Sequence, residues 1–185
     1  MATAQPVTFP VELRVAHTAD LEASTRRAAR ALLDDVFDDM TDEDWDHSLG
    51  GMHALLWEGA GLIGHASVIQ RQLLYGGRSW RTGYVEAVAV RADRRRSGHG
   101  GTLMDAMERI IGGAYEVGAL GSTDEGAAFY AARGWLQWLG PCSALTPEGV
   151  MRTPGEEGSI YVLPVTVPLD VSGELTCDWR EGDAW

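Results

Sequence analysis

Arg95-x-x-Gly98-x-Gly100-Gly101 stands directly after the apolar run Tyr84 to Val90 and before the helically spaced Leu103, Met104, Met107, Ile110 and Ile111. Glycines at 98, 100 and 101 let the backbone turn with positive φ and present a row of N–H groups, and the helix that starts there adds the positive end of its dipole. With Ser97 and His99 as its other members, this turn can cradle a phosphate or pyrophosphate whatever its side chains are. Arg91, Arg94, Arg95 and Arg96 crowd the same turn with positive charge. A Walker loop is excluded because the Gly-Lys-Ser/Thr end is missing, and the G-x-G-x-x-G dinucleotide fingerprint is absent as well. On these residues alone a second reading stays open, in which the arginines and glycines only cap a helix.

The opposite charge gathers elsewhere. Residues 34 to 46 hold Asp34, Asp35, Asp38, Asp39, Asp42, Glu43, Asp44 and Asp46 with no base among them. Over the 185 residues, 27 acids face 15 bases, all arginine, for a net charge of −12. A field of that sign repels nucleic acid and anionic lipid and attracts cations, so polycationic partners fit and nucleic acid and membrane do not. An acidic surface that serves only solubility is the plainer alternative. His17, His47, His53, His65 and His99 show no metal-ligand spacing, so no metal is expected. Cys142 and Cys177 have neither C-x-x-C spacing nor the number for a disulfide framework, and read as reduced structural thiols.

The elements that position these groups follow from periodicity. Val11 to Val15 alternates as a strand, and a helix capped by Thr18 or Asp20 runs to about Phe37. Thr41 with Asp44 is spaced as a capping box for a short helix. Met52 to Trp57, Leu62 to Gln70, Leu73 to Tyr75 and Trp80 to Val90 read as four antiparallel strands, the last two joined at Gly76-Gly77. A helix follows up to Gly112-Gly113, then a buried strand near Leu120, and then a helix from Glu125 to Arg133 closed by Gly134. Trp135 to Leu139 and Ser159 to Val165 supply late strands, with Pro147 to Gly158 read as a loop. The tail from Pro168 to Trp185 has no helical period, yet its two tryptophans predict that it packs on the body. One mixed α/β domain over residues 1–185 is expected, with residues 1–10 flexible.

The Arg-x-x-Gly-x-Gly turn after a Val-Ala-Val strand resembles the acetyl-CoA signature of the GNAT N-acetyltransferase superfamily. Asp44 to Leu55, Gly83 to Asp93, Tyr130 to Leu136 and Cys177 to Trp185 further resemble the chromosomal aminoglycoside 2′-N-acetyltransferases of mycobacteria and their relatives, over about residue 10 to the last. The resemblance implies an α/β (α+β) fold: a mixed, mostly antiparallel sheet of about seven strands, splayed near its middle and flanked by helices. It also implies acetyl-CoA as donor and a homodimer.

Carried over residue by residue, the resemblance puts pantetheine against the backbone of Val88, Ala89 and Val90 and the pyrophosphate on Arg95 to Gly101, with Arg95 or Arg96 reaching the 3′-phosphate. Tyr130 becomes the general acid for the departing thiolate. Glu86, two residues before Val88 and hence expected on the same face, becomes the base through a water, with the Trp185 α-carboxylate as second candidate. Asp39, Asp44, Glu86, Ala87, Ser122, Glu156, Asp183 and Trp185 become the acceptor site, with Trp179 beside the acceptor sugar. Glu156 stands where aspartate is expected and Gly121 where serine is expected, departures that bear on acceptor preference. The implied activity is acetyl transfer to an aminoglycoside 2′-amino group; other polyamine or amino-sugar acceptors and a non-catalytic CoA sensor are the alternatives. No apolar run is long enough to span a bilayer, and MATAQPVTFP lacks the features of a secretory leader, so a cytoplasmic protein is expected.

Overall fold

Three long antiparallel strands form the centre of the sheet in the computed structural model, which describes residues 9–185. The flexibility expected for residues 1–10 falls, apart from Phe9 and Pro10, outside the described residues. β1 (Val11–His17) pairs along its whole length with β2 (Met52–Glu58), and β2, β3 (Gly61–Tyr75) and β4 (Arg78–Val90) form a meander. The β3–β4 turn takes positive φ at both Gly76 and Gly77, 58° and 77°, the conformation that matches the twist of a hairpin. Where four strands were expected there are three, because β3 does not break at Arg71-Gln72. Arg71 is buried inside the strand and its charge is met from far along the chain. Its Nε donates to Asp178 Oδ1 at 2.8 Å, and its Nη2 donates to the main-chain oxygens of Asp178 at 2.8 Å and Ala184 at 2.7 Å. Local patterning cannot foresee a partner 107 residues away.

The helices lie close to where periodicity put them, but Thr18 to Asp20 form a separate 3-10 turn, and Glu22, not Thr18 or Asp20, precedes α1, without a side-chain cap. α1 (Ala23–Val36) buries Ala29, Leu32 and Leu33, and α2 (Asp42–His47) opens with the capping box of Thr41 and Asp44. α3 (His99–Ala114) buries Leu103, Met104, Met107 and Ile111 against the meander, and α4 (Asp124–Ala132) precedes Gly134 at φ 88°.

β5 (Val117–Gly121) lies parallel to β4 but touches it only across Thr82–Tyr84, then diverges toward β9 (Ile160–Pro164). From Val85 onward that edge of β4 has no neighbouring strand among the described residues, and the sheet is splayed at its centre. The expected strand over Trp135 to Leu139 shrinks to β6 (Leu136–Gln137). The expected loop 147–158 instead contains β8 (Gly149–Arg152), hairpinned to β7 (Cys142–Thr146), and the tail contributes β10 (Leu175–Cys177) between β3 and β7. These short strands carry too few residues to show a period of two. Among the described residues, seven strands of five residues or more, against about seven expected, thus gain three shorter ones in a single sheet. Leu73, Tyr84, Trp138 and Trp185 share a core cluster distinct from the one under α3.

Candidate active site

The glycine turn forms as an uncapped helix start. Gly98 takes φ 84° and no side chain caps α3, so the first N–H groups of the helix carry no side-chain partner. A Cβ added at Gly98 would meet nothing within 4 Å, and one at Gly100 or Gly101 would make only an ordinary contact, at 3.6 Å to Phe129 and 3.7 Å to Arg133. The four arginines divide. Arg94 is bound by Glu58 at 2.7 Å and Asp93 at 2.8 Å, and Arg91 by Asp93 at 2.6 Å. Arg95 folds back to donate to Val90 O at 3.1 Å, and neither Arg95 nor Arg96 has a carboxylate partner among the described residues. These two, with Gly98 to Gly101 and Phe129, line a cavity of about 360 Å³. The cradle and the unspent charge fit a nucleotide's phosphates.

A larger cavity of about 710 Å³ fills the splay and is lined by Val85 to Val90, Arg95, Ser122, Tyr130, Glu156, Asp183 and Trp185 among others. A third, of about 190 Å³, is lined by Asp39, Asp44, His47, Glu86, Ala87, Arg180, Asp183 and Trp185. Glu86, Ala87, Asp183 and Trp185 belong to both, so the two spaces meet there. The phosphate cavity joins the splay at Val90, Arg95 and Phe129, so the structure brings the predicted donor and acceptor residues to one continuous trough, except Ser97, which lines none of the three cavities. Trp179 lines neither cavity and is 43% exposed.

At this junction β4 bulges. His65 pairs with Ala89 and Ser67 with Glu86, so Ala87 and Val88 together oppose the single residue Ala66. Ala87 takes φ 51°, an uncommon conformation for a residue with a Cβ. The inserted residue breaks the alternation, which corrects the expectation that Glu86 and Val88 share a face. Val85, Val88 and Val90 pack on the α3 cluster, whereas Tyr84 belongs to the opposite cluster and Glu86 turns toward the tail.

Glu86 meets Arg180 there. The guanidinium bonds the Glu86 carboxylate, the Trp185 main-chain oxygen and, at 2.8 Å, the Asp183 main-chain oxygen. Burial raises the Glu86 carboxyl above its usual range, with the Arg180 charge opposing. Sequence reasoning missed Arg180, although it is the only basic residue after Arg152. Tyr130 is buried against Phe129, Trp135 and Tyr161, and burial pushes its hydroxyl up to about 12. Burial also raises Glu156, followed by the charge of Asp183, while Ser159 donates to it at 3.2 Å. For Asp44 burial works upward, but the Thr41 main-chain N–H at 3.0 Å and hydroxyl at 2.8 Å bring the carboxyl below its usual value. The rest of the acidic run divides, Arg30 binding Asp34 at 2.7 Å and Asp42 at 2.8 Å, while Asp39 reaches the trough. Tyr84 Oη is buried without a partner among the described residues, 3.7 Å from where a Cβ at Gly121 would stand. No grouping of side chains able to hold a metal occurs among the described residues.

A sequence profile of the acetyltransferase (GNAT) domain matches residues 12–137. The chain belongs to the GNAT acetyltransferase family. It is 49% identical over 177 residues to the aminoglycoside 2′-N-acetyltransferase of Mycolicibacterium fortuitum, covering 93% of this chain and 91% of that protein. Among solved structures, the GNAT family N-acetyltransferase YhbS of Escherichia coli in complex with CoA superposes with a TM-score of 0.64 at 17% identity, covering 97% of this chain and 94% of its own. Escherichia coli ElaA superposes with a TM-score of 0.58 at 19% identity, covering 71% and 91%. GNAT enzymes use acetyl-CoA as acyl donor, and this GNAT chain has an open cradle and a splay in which to receive it.

Proposed function

We propose that this GNAT enzyme transfers the acetyl group of acetyl-CoA to the 2′-amino group of aminoglycosides. The observation that carries the reading is the acidic trough that joins the splay at Glu86, taken with the activity named for the Mycolicibacterium fortuitum relative. On the acceptor side Asp39, Asp44, Glu86 and Asp183 stand against one guanidinium, that of Arg180, with Glu156 in the adjoining splay. A carboxylate and an ammonium 4 Å apart attract by about 4 kcal/mol at an effective dielectric of 20. Exposed groups such as Asp39 and Asp183 gain about 1 kcal/mol or less. Several weak pairs must therefore act together, which selects an acceptor with several ammonium groups.

Acetyl-CoA supplies the activated acyl group as a thioester. In this reading the amides of Val88, Ala89 and Val90 hold the pantetheine arm, the helix start at His99 to Gly101 holds the pyrophosphate, and Arg95 or Arg96 takes the 3′-phosphate. Glu86 receives the acceptor's proton through a water, and the burial that raises its carboxyl brings it nearer to an amine. Tyr130 gives a proton to the departing thiolate. No cysteine lies at the junction, so transfer is direct.

The same reading has one domain over the described residues, with the segment from Pro168 closing the acceptor side. It also has a homodimer and a cytoplasmic location. Leu145 and Val150, opposite one another on the β7–β8 hairpin and exposed, offer an apolar surface for a second copy. No helix of the described residues is long and apolar enough to cross a membrane.

Incubation with acetyl-CoA and kanamycin B, tobramycin or gentamicin should yield a product heavier by one acetyl group in mass spectrometry, located at the 2′-nitrogen by NMR. Absence of such a product with every 2′-amino aminoglycoside overturns the reading. A kcat/KM for spermidine above that for tobramycin reassigns the enzyme to polyamines.

A further inference from the structure

Beneath the bulge lies a buried polar chain that the chemistry above does not use. His53 on β2 and His65 on β3 are both fully buried. His65 Nδ1 lies 2.9 Å from the Ala87 main-chain oxygen, His53 Nδ1 lies 3.0 Å from His65 Nε2, and Thr18 Oγ1 lies 2.7 Å from His53 Nε2. The chain crosses three strands and ends on the one residue of β4 with a positive φ.

Its polarity follows from its ends. A carbonyl oxygen only accepts, so His65 carries its proton on Nδ1 and leaves Nε2 bare. That bare nitrogen accepts from His53 Nδ1, which leaves His53 Nε2 bare in turn, and Thr18 donates to it. The Gly51 oxygen, 3.2 Å from the Thr18 hydroxyl, is already served by the Thr18 main-chain N–H at 2.9 Å. Gly50 N–H gives the Thr18 oxygen its own donor at 2.9 Å. Every polar atom is satisfied with one proton on each imidazole. Burial supports that state: it lowers His65 to about 4, and with the neighbouring His65 next it lowers His53 to about 3.

In a planar trans peptide the C=O and N–H point in opposite directions. Holding the Ala87 oxygen therefore turns the Val88 N–H away from the His65 ring, and the same unit sets the bulge that sends Glu86 to the acceptor face. We propose that His65, backed by His53 and Thr18, is a positioning residue for acetyl transfer that fixes the Ala87–Val88 peptide plane. A positive φ at Ala87 persists only where its surroundings over-determine it, and this chain supplies a determinant from outside β4.

The proposal rests on the acetyl-transfer reading, so activity of the unmodified enzyme is established first; its absence refutes that reading alone. His65→Leu should then lower kcat by about 10²-fold, the usual effect of a misplacement near 1 Å. CoA affinity should fall by no more than about tenfold, the loss of the single Val88 N–H contact among those that hold the donor, and acceptor KM should change by less than kcat does. His65→Asn, whose amide keeps an N–H near the Nδ1 position, should recover most of kcat. A purely structural role predicts instead that both variants lose melting temperature while kcat per folded molecule is unchanged, and that result overturns the proposal. Should His65→Leu not fold, ¹⁵N–¹H long-range correlation on the unmodified protein still decides. Both rings should be Nδ1–H tautomers that do not titrate between about pH 6 and 8. An Nε2–H tautomer or a titrating ring at either position refutes it.

Discussion

Arg180→Met removes the one cation held between Glu86 and the tail. The guanidinium and the Glu86 carboxylate are 13% and 16% exposed, so the pair is largely out of water. Breaking a buried pair while leaving the other charge behind costs about 3–5 kcal/mol. Residual exposure argues for the lower end, about 3 kcal/mol, which for a protein of this size lowers the melting temperature by about 6–12 °C. Burial already raises the Glu86 carboxyl, with Arg180 opposing first through its charge and then through its hydrogen bond. Between the unfolded and folded values the folded form holds the proton and the unfolded form does not, so ionised Glu86 weighs against folding as pH rises. With methionine at 180 only the more distant charge of Arg71 still opposes burial. The deficit in melting temperature should be greatest at neutral pH and narrow on acidification, and the acid limb of kcat/KM should move to higher pH. Thermal unfolding across pH for the parent, Arg180→Met, Glu86→Gln and the double variant measures the coupling. A variant that melts within about 2 °C of the parent at neutral pH, or single effects that simply add, refutes the pairing.

Tyr130→Phe should lower kcat by about 10² or more with acceptor KM nearly unchanged. Because burial holds that hydroxyl up to about 12, no limb of the parent pH profile below about 10 should disappear in the variant; equal kcat in steady-state assays removes Tyr130 from the reaction. Gly121→Ser brings a hydroxyl to the unpartnered Tyr84 Oη with an ordinary 3.7 Å contact at Cβ, so chemical denaturation should show a gain of about 0.5–1.5 kcal/mol. A loss of stability there would mean that Tyr84 already has a partner.

The features legible in the residues were those whose cause is local. The capping box at Thr41 and Asp44, the glycine hairpin at 76–77 and the amphipathic α3 each depend on neighbours within a few positions, and each formed as expected. The features that were not legible depend on distant partners. Arg71 interrupts a strand pattern until Asp178 is known to neutralise it, and β10 is a strand only because β3 and β7 flank it. The trough was read largely through resemblance. Its junction was misread at one point, since period two put Glu86 and Val88 on one face and the bulge at Ala87 separates them. Alanine carries no hint of positive φ, and what holds it there comes from His53 and His65, which side-chain spacing could exclude as metal ligands but could not assign.

Where β4 parts from β5 after Tyr84, the amides and carbonyls of an inner strand are left without a neighbour. Such a row invites any passing extended polypeptide to add itself, and most proteins hide it at a charged or twisted rim. Here it lies at the bottom of a slot flanked by α4 and the C-terminal segment, too confined for another molecule's sheet. A slim amide-bearing arm gains entry where a polypeptide ribbon does not, so the gap that would promote aggregation on an open face serves recognition instead.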